Sequence, residues 1–187
     1  MAVAFGGTVI GNRNDWLANL RWFIPLHDDQ YTLVVRKLGP AFIKEFQRRM
    51  ASGEWKGATP TIVSTGHSLG GGLAQQFAYA LPSQEGVPPV TRVYAFHPSP
   101  VTGYFSVQKD LRESNSKGLK IERIYERGEI LALLRSAQST FFAPSANNPT
   151  ITGYRYSVIH NADPIKDHSL GKFACAIAEK LARQTHQ

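Results

Sequence analysis

The chain has 187 residues, 42% of them apolar and 19% charged, which is enough apolar material for one substantial core and too little length for two. Its longest apolar runs, such as Ile130 to Leu134, fall far short of the roughly 20 residues that span a bilayer, which excludes a membrane-spanning helix. The net charge of +7 permits attraction to nucleic acid, anionic lipid or acidic partners without choosing among them.

Met1 to Gly7 lacks the basic segment and the apolar stretch of about 7–15 residues that mark a signal peptide, so export by that route is not expected. Ala2 to Phe5 reads as a short buried strand ended by Gly6 and Gly7. Asn14-Asp15 caps a predicted helix with Trp16, Leu17, Leu20, Phe23 and Ile24 on one face, stopping before Pro25. Pro40 to Met50 predicts a second helix, with Pro40 in its first turn and Phe42, Ile43 and Phe46 at helical spacing. Around it, Arg36, Lys37, Lys44, Arg48, Arg49 and Lys56 face only Glu45 and Glu54, so this segment holds four of the seven excess charges. It is either a solvated helix surface or a binding patch.

Thr61 to Thr65 is rich in β-branched residues and runs straight into Gly66, while Leu69, Leu73, Ala74, Phe77, Ala78 and Leu81 repeat with a helical period up to Pro82. Val93 to Phe96 and Ile121 to Tyr125 predict two further strands. Tyr154, Tyr156 and Val158 alternate like an edge strand or hairpin, and Leu170 to Leu181 marks a last amphipathic helix. This order predicts a mostly parallel sheet with helices on both faces. Cys175, the single cysteine, sits among Phe173, Ala174, Ala176 and Ile177 and reads as a small core residue. With no CxxC, HExxH or EF-hand pattern, neither a metal nor a cofactor is expected.

The segment Gly66-His67-Ser68-Leu69-Gly70 carries the chemistry. A Gly-x-Ser-x-Gly match alone arises by chance on the order of 0.06 times in a chain of this length. Here it stands between a strand and a helix, as a strained nucleophile turn requires. Glycines at 66 and 70 remove the side chains that would collide where strand and helix approach, and Gly71 and Gly72 extend that clearance. The helix start then aims free amides, Leu69 first, at a developing oxyanion. A phosphate loop would need a lysine after the glycines, and there is none.

Over most of its length the sequence resembles the class 3, fungal-type lipases. Val3 to Thr8 is similar to that family's oxyanion strand, Asp15-Trp16-Leu17 with Leu20 to a segment that follows it, and Gly66 to Ala74 to its nucleophile motif. The resemblance implies one α/β-hydrolase-like domain over residues 1–187 with a Ser-acid-His triad and no cofactor. It implies Ser68 as nucleophile, Glu129 where an aspartate is usual, His168 before the last helix as base, and Thr8 with Leu69 as oxyanion donors. His97 and His160 compete with His168, both read by default as structural, and Asp163, Asp167 and Glu126 compete with Glu129. The family's lid follows the oxyanion strand, which makes residues 11–39 the lid candidate.

There are departures. Gly6 replaces an arginine, and His97-Pro98-Ser99-Pro100 stands where Gly-Ser-Pro is usual. The chain starts almost at the oxyanion strand, so the usual N-terminal strands are expected to be missing and a sheet edge open to another chain. The expected activity is hydrolysis of acyl esters or lipids, with peripheral contact to anionic lipid surfaces and no nucleic acid. The alternatives are a phospholipase, thioesterase or peptidase using the same triad, or an inactive hydrolase-fold binding module.

Overall fold

The computed structural model describes residues 1–7, 30–128, 146–159 and 166–184. Five strands pair in chain order, every pair parallel: β1 (Ala2–Phe5), β2 (Ile62–His67), β3 (Val90–Phe96), β4 (Lys120–Glu126) and β5 (Thr150–Tyr156). The alternation of β2 turns Ile62, Ser64 and Gly66 to one face, where they join Val93, Ala95 and Ile121 from the neighbouring strands in burial. Val63, Thr65 and His67 point to the other, half-buried face. Of the two readings of 154–158, the edge strand is the one found: Tyr154 and Tyr156 lie in β5, parallel to β4 at the sheet's end, and Val158 follows it. At the opposite edge β1 is not the buried strand expected, because an edge strand on this face is covered on one side only and leaves Ala2 and Ala4 exposed.

The fully covered face lies against α3 (Leu69–Ala80), whose residues from Gly70 to Ala80 are all buried. A helix hydrophobic all round belongs at the centre of a domain. Its glutamines bond inside: Gln75 donates to the Gly71 carbonyl at 3.0 Å and accepts from Arg123 of β4, and Gln76 donates to Ser106 Oγ at 2.8 Å. Its C-terminal carbonyls at Tyr79 and Leu81 accept from Asn115 Nδ2 at 2.9 and 2.8 Å. Asn115 lies in α4 (Lys109–Ser116), a helix whose sequence KDLRESNS holds a single large apolar residue and so shows no hydrophobic period.

A helical run packs over α3: α1 (Gln30–Leu33), a π-helical turn (Val34–Leu38) and α2 (Gly39–Ala51), with Phe42, Ile43 and Phe46 buried as expected. The wide turn has a cause in Pro40, which lacks an N–H and whose ring would strike the carbonyl four residues back in a regular α-helix. The Gly39 amide donates instead to Val34, five residues back. Tyr31 and Val34, within the lid candidate, are buried, and Tyr31 Oη donates to the Val101 carbonyl at 2.7 Å. The remainder of that candidate, 11–29, and the predicted Asn14 to Ile24 helix lie outside the described residues. On the exposed side of α2, Arg48 and Arg49 both bond Glu45, holding its carboxyl down to about 2, so part of the segment's basic charge is compensated locally.

The last helix, α5 (Leu170–Gln184), begins over the half-buried sheet face, where Phe173 packs on Tyr156 and His97. Helices therefore stand on both sides of the sheet, α3 covering one face and α5 meeting the other at Phe173. Phe173 is buried, while Leu170 and Leu181 are exposed. Cys175 is exposed rather than in the core, because two helical positions turn it about 200° away from Phe173. Among the described residues no helix is long and apolar enough to cross a membrane.

The meeting of α3 with β1 and β2 tolerates no side chain. A Cβ on Gly66 would strike the Gly70 carbonyl, one on Gly70 the carbonyls of Phe5 and Gly6, and one on Gly72 the Tyr31 hydroxyl and Val101 carbonyl, all inside 3.0 Å. Forced backbone shifts of this kind cost about 1–3 kcal/mol or more, against about 1 kcal/mol that alanine gains over glycine within a helix. Gly70→Ala is therefore expected to lower unfolding stability by at least about 1 kcal/mol in urea titration. Gly6→Ala, where a Cβ meets nothing within 4 Å, is expected to stay within about 0.5 kcal/mol of the parent.

Candidate active site

Ser68 stands between the last residue of β2 and the first of α3, at φ 56° and ψ −123°. A non-glycine residue in such a conformation carries about 1–3 kcal/mol of strain and needs its surroundings to hold it. They do so through both flanking peptide groups. The Ser68 amide donates to the Phe96 carbonyl at 3.0 Å, and its own carbonyl accepts from Ser99 at 2.9 Å, Gly71 at 3.0 Å and Gly72 at 3.3 Å. Leu69 and Gly70 open α3, where amides have no intrahelical acceptor and the dipole is positive, so donors and field converge beside the serine.

The chain leaving β1 passes directly against this turn: a Cβ on Gly7 would lie 2.7 Å from the His67 carbonyl and 3.5 Å from Ser68 Cβ. Thr8 follows it in sequence and lies outside the described residues, as does Glu129.

His168 ends the 3-10 turn Lys166–His168 and is 4% exposed. Its main-chain carbonyl accepts from His67 Nε2–H at 2.8 Å and from His97 Nδ1–H at 3.3 Å, which fixes the tautomer of both donors. The structure thus ties the predicted base to the residue next to the predicted nucleophile. The three rings crowd together, with centroids 4.8 Å apart for His67 and His168, 5.3 Å for His97 and His168, and 5.6 Å for His67 and His97. One ring nitrogen from each of the three lies within 4.8 Å of the others.

Sequence reasoning treated His97 as a structural default and gave His67 no part. The positions are separated by 30 and 71 residues and form no local motif. One signal could have been used: a histidine where the resembled family has Gly-Ser-Pro. The structure gives it meaning, since His97 sits at φ 41°, a left-handed conformation glycine adopts freely, and is fully buried with its amide donating to Ile124 at 2.8 Å.

Of the carboxylates weighed for the acid, Glu126 is 1% exposed and accepts from the amides of Val158 at 2.9 and 3.1 Å and of Ile159 at 3.2 Å, so it anchors the chain leaving β5. Asp167 is buried beside His168 in the same turn. Asp163 and the rival base His160 lie outside the described residues.

Comparison with known proteins adds a family likeness. The family described as Lipase (class 3) matches residues 2–138. A search of curated protein sequences finds no match. Among solved structures, esterase B from Lactobacillus rhamnosis is 17% identical, with 99% of this chain and 74% of that one covered at a TM-score of 0.49. A form of the same esterase with a C6-C4 SN3 inhibitor gives 17% identity, 99% and 79% coverage and a TM-score of 0.45. Its form with a C4-C4 SN3 tributyrin phosphonate gives 16%, 99% and 77%, and 0.45.

The histidine packing has a measurable consequence. Burial, reinforced by charge on the neighbouring His168 and partly offset by the bond to its carbonyl, holds His67 down to about 4 from the ordinary 6.5. Because the folded value lies below the unfolded one, the unfolded chain takes up the proton first as pH falls. The stability tied to neutral His67 is complete above about 6.5 and is lost as pH falls towards 4. An NMR titration of the His67 ring is expected to show a midpoint near 4, and a midpoint at the ordinary 6.5 contradicts the burial argument.

Proposed function

The chain belongs to the class 3 lipase family and is a serine ester hydrolase of the lipase and esterase kind, and on that premise we propose that it cleaves acyl esters through an acyl-enzyme on Ser68. His168 is the general base, Glu129 the acid that orients and stabilises it, and the amides of Thr8 and Leu69 the oxyanion donors. The observation that carries this reading is Ser68 at φ 56° between strand and helix, with the main chain of His168 bonded to adjacent His67.

In the first half of the reaction, His168 takes the Ser68 hydroxyl proton as Oγ attacks the ester carbonyl carbon. The negative charge reaches the carbonyl oxygen, where helix-start amides already point and need no reorganisation. Collapse of the tetrahedral intermediate breaks the ester C–O bond, and the imidazolium returns its proton to the leaving alcohol. Water then enters the same path: His168 removes its proton, hydroxide oxygen bonds the acyl carbon, and Ser68 recovers its proton as the acid product departs.

Glu129 suits the acid role because its carboxylate needs only to accept Nδ1–H and stabilise the imidazolium. Glu126 is already engaged with the Val158 and Ile159 amides, which argues against it. The substrate class is an ester or lipid. Contact with an anionic lipid surface, guided by the basic residues between Arg36 and Lys56 and covered by a lid within 11–39, is the finer part of the proposal.

A fluorophosphonate is expected to add once to the wild-type chain by intact mass and not at all to Ser68→Ala, whose ester turnover falls by at least about 10³. No adduct on a folded wild-type chain identifies a binding module instead. Glu129→Gln is expected to lower turnover strongly while leaving the chain folded. If Asp163→Asn or Asp167→Asn does so and Glu129→Gln does not, the acid is reassigned.

A further inference from the structure

Ester hydrolysis through Ser68 uses one imidazole, yet the sheet end beside it holds three. His67 closes β2, His97 follows β3 and His168 precedes α5, so separate stretches of chain each deliver a ring to one place. His97 does so at φ 41° and without solvent exposure, where glycine would avoid the strain. A bulky nitrogen ligand is kept at a position that the backbone alone would give to glycine.

We propose that His67, His97 and His168 form a binding site for a divalent transition-metal ion of the zinc class, and that its occupation holds His168 out of proton transfer and reversibly stops the hydrolase. The switching half rests on His168 as the general base. The binding half does not.

The donor set selects the ion. Neutral imidazole suits zinc, copper and nickel, whereas magnesium and calcium take oxygen ligands. Three histidines with a fourth position left to water is an established zinc arrangement. Metal-ligating histidines also characteristically donate their second ring N–H to a carbonyl or carboxylate, which orients the ring and leaves the lone pair on the other nitrogen. His67 and His97 already do this, both to the His168 carbonyl. These bonds orient two of the three rings. Zinc–nitrogen bonds of about 2.0–2.1 Å place tetrahedral ligands about 3.4 Å apart, and one nitrogen from each ring already lies within 4.8 Å of the other two, so the cluster takes the ion by drawing in by up to about 1.4 Å. His67 is only half-buried, which leaves a side of the cluster open to solvent.

The test uses the whole chain, stripped with a chelator. Cobalt(II) is expected to give the visible absorption of a four-coordinate complex, and zinc to displace it and raise the unfolding temperature. His67→Gln and His97→Gln are each expected to weaken zinc binding by at least about 10-fold. These substitutions lie on separate stretches of chain, one at the end of β2 and one after β3, so a folding failure in one leaves the other. A triple His27→Gln, His160→Gln, His186→Gln variant is expected to bind as the parent does. Zinc is expected to block fluorophosphonate labelling of Ser68 over the concentration range in which the cobalt band is displaced, with a chelator restoring it. An absent band, or one kept in both single variants or lost in the triple variant, overturns the site. A band with labelling and hydrolysis undiminished overturns the switch alone. Full hydrolysis by metal-free His168→Gln is the separate result that overturns His168 as base.

Discussion

The separation between the start of α3 and the ends of β1 and β2 is set by main-chain atoms touching main-chain atoms, because Gly66 and Gly70 have nothing to hold them apart. Parallel strands joined through a helix ordinarily keep a side-chain layer between helix axis and sheet. Removing that layer at one end lets the helix dip onto the strand tips, and the connecting residue has no room for a relaxed turn. Ser68 takes the strained conformation as a result, and four hydrogen bonds hold its two peptide groups. The placement of Ser68 and the placement of the helix are thus one geometric fact.

The same closeness organises what surrounds the serine. The chain leaving β1 is pressed against the turn at Gly7, the loop after β3 is bonded to it at Phe96 and Ser99, and the segment before α5 reaches it through His67. Each contact comes from the C-terminal end of a strand or from the chain that follows one, the edge of an α/β sheet where ligands bind. Histidine burial adds an electrostatic condition: removal from water, with charge on His168 as the lesser cause, drives His67 towards its neutral form.

Much of this was legible because it is written in local patterns. The β-branched run before Gly66, the apolar period after Ser68 and the glycine spacing are consequences of one strand, one turn and one helix, and each reads within about a dozen residues. What was not legible depends on distant partners. Asn115 caps α3 from a helix with almost no apolar period, and the histidine cluster joins positions 67, 97 and 168 that no local motif relates. Cys175 was misplaced because its neighbours are apolar, although helix geometry turns Phe173 inward and Cys175 out. β1 was read as buried because composition does not distinguish a central strand from an edge.

The anchoring of His168 separates heredity of shape from heredity of activity. What His67 and His97 grip is a carbonyl, and every amino acid presents the same carbonyl, so the side chain at 168 is positioned by bonds to which it contributes nothing. A substitution at 168 therefore leaves both of these bonds in place, so that under the role proposed for His168 it would remove the reaction while the segment before the last helix keeps its seat.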